Sequence, residues 1–408
     1  METRKRFQFN FAPYFRNARK STVWAMLCLV VCMLGLGISA MAQQPKIITI
    51  DVSGAGTGAG QGTVPYYISD AGVITGWYVD ASGVNHGFLR AYGGSITTIN
   101  APLAGNISGM GTICYGVNLA GAIAGSSTDN NNVPHSFLRT PDGRFTIIHV
   151  PGASQGSWAD NINDAGTIAG AYVDESSTVH VYLRAPNGTI TAPIDGPGAG
   201  EGDWNGTYIP TGYGLNVSGE VTGFACNAVT CHGFLRASYG AITGFDVPGA
   251  AGTEPLSINM AGEVTGDYWD TSGVDHGFLR APNGKITTFD APGAGTGLGQ
   301  GTFVSSNNSA GAITGSYMDA DGVSHGYLRT PDGRFTIFDA PGAGSAADQG
   351  EGTFPTGNNW VGVIMGFYVD VGLVNHGFLR LLSSAISSCY SGCPCTAPVG
   401  LGHSYLLP

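Results

Sequence analysis

Positive charge is scarce in this chain, and a helical hydrophobic period is missing altogether. Only 17 of 408 residues are Lys or Arg, against 28 Asp or Glu. Six of the basic residues and one acid, Glu2, fall within residues 1–42, so the remainder carries 11 basic against 27 acidic residues, a formal charge of −16. Such a chain is a poor partner for nucleic acid or an anionic membrane surface. Cations, neutral glycans or basic proteins suit it better. No segment repeats its apolar residues at the spacing of a helix face. Catalytic signatures are also lacking: there is no His-Glu-x-x-His pair and no phosphate loop, and Gly-x-Gly strings such as Gly54-Ala-Gly-Thr-Gly58 do not lead into a helix. No catalytic residue is therefore assigned. With 66 glycines but 43% hydrophobic residues, the composition is turn-rich yet too apolar for disorder.

The one long apolar run, about 22–38, follows a basic head and precedes Ala40-Met41-Ala42. This is the pattern of a secretory signal peptide spanning 1–42, and it predicts a secreted chain with no membrane span after cleavage; an uncleaved anchor is the alternative. Export makes a disulfide plausible between Cys226 and Cys231, which flank one tight turn. Cys114 stands alone. Cys389, Cys393 and Cys395 crowd a C-terminal tail, 389–408, where the absence of a second ligand cluster favours a local disulfide or free thiols over zinc.

What the chain has in abundance is one phrase. It reads His86-Gly-Phe-Leu-Arg90, His135-Ser-Phe-Leu-Arg139, His180-Val-Tyr-Leu-Arg184, His232-Gly-Phe-Leu-Arg236, His276-Gly-Phe-Leu-Arg280, His325-Gly-Tyr-Leu-Arg329 and His376-Gly-Phe-Leu-Arg380. The histidines are spaced by 49, 45, 52, 44, 49 and 51 residues. That period denotes an array of supersecondary units. Around His276, the runs Pro255–Asn259, Gly262–Asp270, Val274–Arg280 and Lys285–Asp290 are short and rich in β-formers, and turns containing Gly separate them. The predicted fold is all-β: a seven-bladed β-propeller of four-stranded antiparallel blades over residues 43–388. Seven sets of the first three strands are clear. The fourth strand degrades after Arg380, while a spare one, Lys46–Asp51, precedes the first unit. The expectation is that this N-terminal strand joins the last blade and closes the ring, removing a free sheet edge.

Strand counting then sorts the polar residues. The histidines, the aspartates of the turn before them (Asp80, Asp129, Asp174, Asp270, Asp319, Asp370) and the acids ending the fourth strands share one face; the arginines share the other. The repeated His and Arg are read as structural. Asp319 and Asp321 have the alternate-carboxylate look of a hard-cation loop, which makes calcium the candidate cofactor, but most sister turns offer a single acid. Asn118, Asn163, Asn216, Asn259, Asn308 and Asn359 precede tight turns, as Ser69 does in the first unit, and are read as turn-makers. Exposed aromatics outside the most regular strands could stack on sugar rings: these are Trp158, Trp204, Tyr208, Tyr213 and Trp360, of which Trp158, Trp204, Tyr208 and Trp360 are the candidate ligand residues. Trp204 and Tyr208 sit in the most divergent insert, Glu201–Pro210, where the pattern breaks.

The phrase, preceded by Ile-Thr-Gly-x-Tyr-x-Asp and followed by Thr-Phe-Asp-Ala-Pro-Gly-Ala-Gly, resembles the bacterial extracellular HAF repeat proteins over residues 46–380. The resemblance implies a bacterial exported protein and no particular reaction. Two places depart from the pattern. The second unit has Ser126-Ser-Thr-Asp with no Tyr, and the fourth has Cys226 and Cys231 in place of Tyr-x-Asp. The expected function is binding: a monomeric secreted scaffold that recognises an extracellular glycan or protein through its acidic, Gly-rich face. The alternatives are a propeller glycoside hydrolase or polysaccharide lyase, and a cell-surface structural protein without a discrete ligand.

Overall fold

The computed structural model describes residues 45–347 and 350–381. The expected leader and Cys389, Cys393 and Cys395 lie outside the described residues. Within them the chain is all-β, without a helix. In the first unit, strand A (Gly62–Ile68) pairs antiparallel with strand B (Ile74–Val79), B with strand C (Asn85–Arg90), and C with strand D (Ile96–Ile99). The sixth unit repeats this order as Gly301–Asn307, Ile313–Met318, Ser324–Arg329 and Phe335–Phe338. Among the described residues the last unit supplies A, B and C from its own stretch of chain. Its C strand, Asn375–Leu381, pairs antiparallel with Lys46–Ile50, placing Thr49 opposite Phe378.

The repeated phrase is explained by the two-residue period of a strand. His86, Phe88 and Arg90 point to one face of strand C, opposite Tyr78, Gly76 and Ile74 of strand B. The ring needs the space that the strand-B glycine leaves: a Cβ on Gly76 would press on Phe88. The motif aromatics Phe88, Phe137, Tyr182, Phe234, Phe278, Tyr327 and Phe378 are all fully buried. Each contributes on the order of 2–3 kcal/mol by burial. His and Arg thus mark the two ends of one apolar stripe.

Three further devices join neighbouring units. A Thr at the second position of most A strands accepts the backbone amide that follows the previous D strand: Val52 to Thr63 Oγ1 at 3.0 Å, Ala101 to Thr112 at 2.9 Å, Ala291 to Thr302 at 2.9 Å. The guanidiniums of Arg280, Arg329 and Arg380 lie 4.8, 4.7 and 4.7 Å from the rings of Phe245, Phe289 and Phe338, each in the preceding unit. The turn asparagines do two jobs. Asn308 Oδ1 accepts the amide of Ala312 at 3.0 Å and closes its own turn, while its Nδ2 donates to the carbonyl of Asn359 at 2.8 Å. The same link runs from Asn118 to Asn163, Asn163 to Asn216, Asn216 to Asn259, and Asn259 to Asn308. The turn reading of these residues therefore covers only half of their role.

Candidate functional site

The B–C turns and the D-strand ends lie together, and the motif histidines sit between them. His325 faces Asp319 through Nε2 at 3.2 Å and Asp339 through Nδ1 at 2.9 Å, with its ring stacked on Tyr317 at 5.0 Å. His180 lies in the same way between Asp174 and Asp195, and His376 between Asp370 and Asp51 of the leading strand. His86 has Asp80 and Asn100. His276 reaches Asp290 at 2.7 Å and Asp270 at 3.8 Å. His135 pairs with Asp129. Both ring nitrogens of most of these histidines are thus occupied. The turn carboxylates are held by amides as well. Backbone hydrogen bonds hold Asp129, Asp174 and Asp270 below the ordinary carboxylate range, against some desolvation.

Asp319, one half of the candidate calcium pair, spends its Oδ1 on the amides of Asp321 and Val323 at 2.9 Å each and its Oδ2 on His325. That geometry is turn and histidine support. Among the described residues the grouping of three potential metal ligands is Cys226, Cys231 and Glu254, and those two sulfurs are joined to each other as a disulfide. Cys114 is buried, and burial pushes its thiol up to about 12.

At the opposite end, the guanidiniums of Arg184 and Arg236 donate to the carbonyls of Ala185 and Ala237. Arg139 lies over Phe145, and Arg90 is buried. A cavity of about 170 Å³ opens there among Asn163, Asn216, Asn259 and Asn308, with Tyr213 in its wall. Trp360 is on this end, its amide donating to Asp70 Oδ1 at 3.1 Å.

The fourth unit breaks the pattern. Its A strand shrinks to Gly206–Tyr208, and Ile209–Leu215 leaves the sheet to meet the inner strands of other units. Gly212 donates to the carbonyl of Asp160 at 2.9 Å, and Gly214 to Asn161 Oδ1 at 2.9 Å. Ile258 donates to the carbonyl of Tyr213 at 2.9 Å, and Ile68 to the Tyr213 hydroxyl at 3.3 Å. Tyr213 packs on Tyr67 with ring centres 5.1 Å apart. A Cβ on Gly357 of the last unit would collide with the Tyr213 hydroxyl. Three inner strands, of the first, fifth and last units, thus meet Tyr213, and that of the third unit holds the glycines on either side of it, so this segment occupies space between them.

Beside this plug lies a pocket of about 340 Å³ lined by Tyr115, Trp158, Asp160, Trp204, Tyr208 and Thr211 with apolar neighbours. Its residues come from irregularities. Tyr115 and Asp160 occupy the bulges where the A strands of the second and third units skip register. Asp203 and Trp204 have φ of 49° and 64°, in the left-handed region. Trp204 is tethered by its amide to the carbonyl of Ser177 at 2.9 Å and receives the Tyr208 hydroxyl on its own carbonyl. Ser177 belongs to a B–C turn, so this pocket opens toward the acidic end. Asp160 is 6% exposed; burial pushes its carboxyl up to about 7, opposed by a hydrogen bond from Thr211 Oγ1 at 3.3 Å. Tyr66 also hydrogen-bonds to Thr211.

Of the four aromatics expected to bind, the structure brings Trp158, Trp204 and Tyr208 together and leaves Trp360 at the far end. Asp160 and Tyr115 carried no sequence signal beyond an unusual residue at a repeat position. Gly152-Ala-Ser-Gln-Gly156 has the spacing of a nucleophile elbow, but it leads into the strand Ser157–Ile162 and not into a helix. Ser154 shares a cleft of about 630 Å³ with His180. Both nitrogens of that histidine already face carboxylates, so it offers no free acceptor for a serine proton.

No family model and no curated protein matches this chain. Solved structures do. A streptogramin B lyase is 15% identical with a TM-score of 0.52, covering 84% of this chain and all of its own (100%). The virginiamycin B lyase from Staphylococcus aureus is 14% identical with a TM-score of 0.54, covering 83% and 100%. The BP39L lectin from Burkholderia pseudomallei is 10% identical with a TM-score of 0.50, covering 84% and 97%. At such identities the likeness is one of fold, and that fold is propeller-like.

Proposed function

We propose that this chain is a secreted seven-bladed propeller of the HAF repeat kind, and that it binds an extracellular glycan in the pocket beside its fourth unit. The antiparallel pairing of Lys46–Ile50 with the last unit supports ring closure, as does the hydrogen bond from Thr356 Oγ1 to the carbonyl of Pro65. The observation that carries the binding reading is the meeting of Trp158, Trp204, Tyr208 and Tyr115 around one cavity. Flat aromatic faces with a few placed polar groups are what a sugar ring requires. The site also sits where the repeat is interrupted, at the short A strand Gly206–Tyr208.

Glycan-array screening of the purified protein, with Trp204→Ala and Tyr208→Ala beside the wild type, tests this. A glycan hit weakened roughly tenfold or more by either change is expected, since anchors of this type dominate binding energies. A flat array, or hits indifferent to both changes, would count against it. A lyase is the second reading. It rests on the Asp160 carboxyl near 7, poised to give or take a proton at neutral pH. Against a two-carboxylate hydrolase, Asp160 is the single acid lining the pocket.

A further inference from the structure

Resting on that reading, we infer that the pocket selects amino sugars: glycan units whose free ammonium meets Asp160 while the ring stacks on Trp158, Trp204 or Tyr208. The pocket presents a carboxyl at its base and no positive side chain anywhere in its lining. The side-chain donor that reaches the Asp160 carboxyl is the neutral Thr211 hydroxyl. The other titratable groups around it are phenols, Tyr66 on the first A strand, Tyr115 on the second and Tyr182 on the third C strand, which supply no compensating charge. A buried carboxyl without a cation is costly to ionise, and an incoming ammonium is the group that removes the cost. The aromatic walls add attraction for that same cation. An N-acetylated ring would stack equally well but would bring a neutral amide to the carboxyl. Selection between the two is therefore set by Asp160, and stacking by the aromatics. The excess of acidic over basic residues draws a cationic glycan toward the chain.

The geometry has a proton consequence. Burial favours the protonated form of Asp160 in the empty site, so binding an ammonium there should release up to one proton to solvent below neutral pH. Calorimetric titration with glucosamine tetramer, its N-acetylated counterpart and tetramethylammonium chloride, at pH 6 in two buffers of different ionisation heat, tests the inference. The expected result is a preference of about tenfold or more for the glucosamine tetramer, with a buffer-dependent heat that reports proton release. Asp160→Asn keeps the shape and an oxygen that can accept from Thr211, and should abolish the preference and the proton release, so that both tetramers bind alike. Circular dichroism confirms that the variant folds. If Asp160→Asn does not fold, Thr211→Val keeps the carboxyl but removes a donor to its ionised form, and should weaken the glucosamine preference at pH 6; an unchanged preference would overturn the inference. Equal binding of both tetramers, lost together in Trp204→Ala, would overturn the amino-sugar inference and keep the glycan reading. Tetramethylammonium binding as tightly as the tetramer would overturn it in favour of a simple cation site. No binding of any probe would overturn the inference for these sugars, and a flat glycan array, or hits indifferent to both aromatic changes, would take the broader reading with it.

Discussion

The fourth and sixth units carry nearly the same phrase, His232-Gly-Phe-Leu-Arg236 and His325-Gly-Tyr-Leu-Arg329, yet differ at the turn before it and in the inner strand. In the sixth, His325 is stacked on Tyr317 and held by two carboxylates. In the fourth, Ala225 stands where the Tyr would, Asn227 caps the turn in place of Asp, and His232 keeps one partner, Asp246 at 3.0 Å. The Cys226–Cys231 disulfide spans that turn. The sixth unit's inner strand runs seven residues, the fourth's only three. The comparison teaches that the repeated residues build the unit, and that the site arises where a unit gives up its own regularity. Residues freed from the short strand become both the central plug and one wall of the pocket.

The comparison breaks most visibly at the entry of an inner strand. Gly301 has φ +130° and lies against the Asp275 carbonyl, so Gly301→Ala should destabilise by about 3 kcal/mol or more in urea unfolding. Gly299→Ala, with φ +71° and open space, should lose only about 1 kcal/mol. Equal losses would refute the close-approach argument.

The plug comes next. Tyr213→Ala should cost about 3 kcal/mol by leaving a cavity between the inner strands, and Tyr213→Phe about 1 kcal/mol through the lost hydroxyl bond. An unchanged midpoint for the Ala variant would mean that the segment does not fill that space.

Asp160 sharpens the contrast through pH. Its folded pKa, about 7, lies above the usual carboxylate value of about 4, so the folded state keeps a proton that the unfolded chain has released. Stability from this group therefore falls as pH rises from about 4 to about 7. Asp160→Asn should stabilise by about 4 kcal/mol at pH 8 and by almost nothing at pH 4. A pH-independent difference would show that the carboxyl is not desolvated.

The smallest effect concerns the histidines. His325→Ala should lose about 1 kcal/mol and His232→Ala about half of that, since one has a ring stack and two acids and the other a single partner. Equal losses would show that stack and second acid contribute nothing.

Much of this was legible in the residues. The phrase period, the strand grammar and the surplus leading strand all point to the observed pairings, because hydrophobic alternation and turn chemistry act locally. The divergent insert marked one wall of the candidate site, and Trp158, Trp204 and Tyr208 do share a pocket. Other features were out of reach. Nothing adjacent in sequence ties Asn308 to the carbonyl of Asn359, or Tyr213 to Ile68 and Gly357, since these links span separate units. The Gly-Thr pair that opens most A strands was visible as a repeat, but its role as a clamp on the preceding D strand was not. Asp160 read as an ordinary acid, because a strand bulge and burial, not its neighbours in the chain, aim and neutralise it.

By itself, then, the order of amino acids determined the strands, their number per repeat and which side chains turn inward, for these follow from a two-residue period and from glycine at tight turns. Only the tertiary structure decided that Tyr213 occupies space between the inner strands, that three scattered aromatics form one pocket, and that a carboxyl at its base resists ionisation. Those properties depend on distances between distant segments and on exclusion of water, and neither is encoded in local pattern.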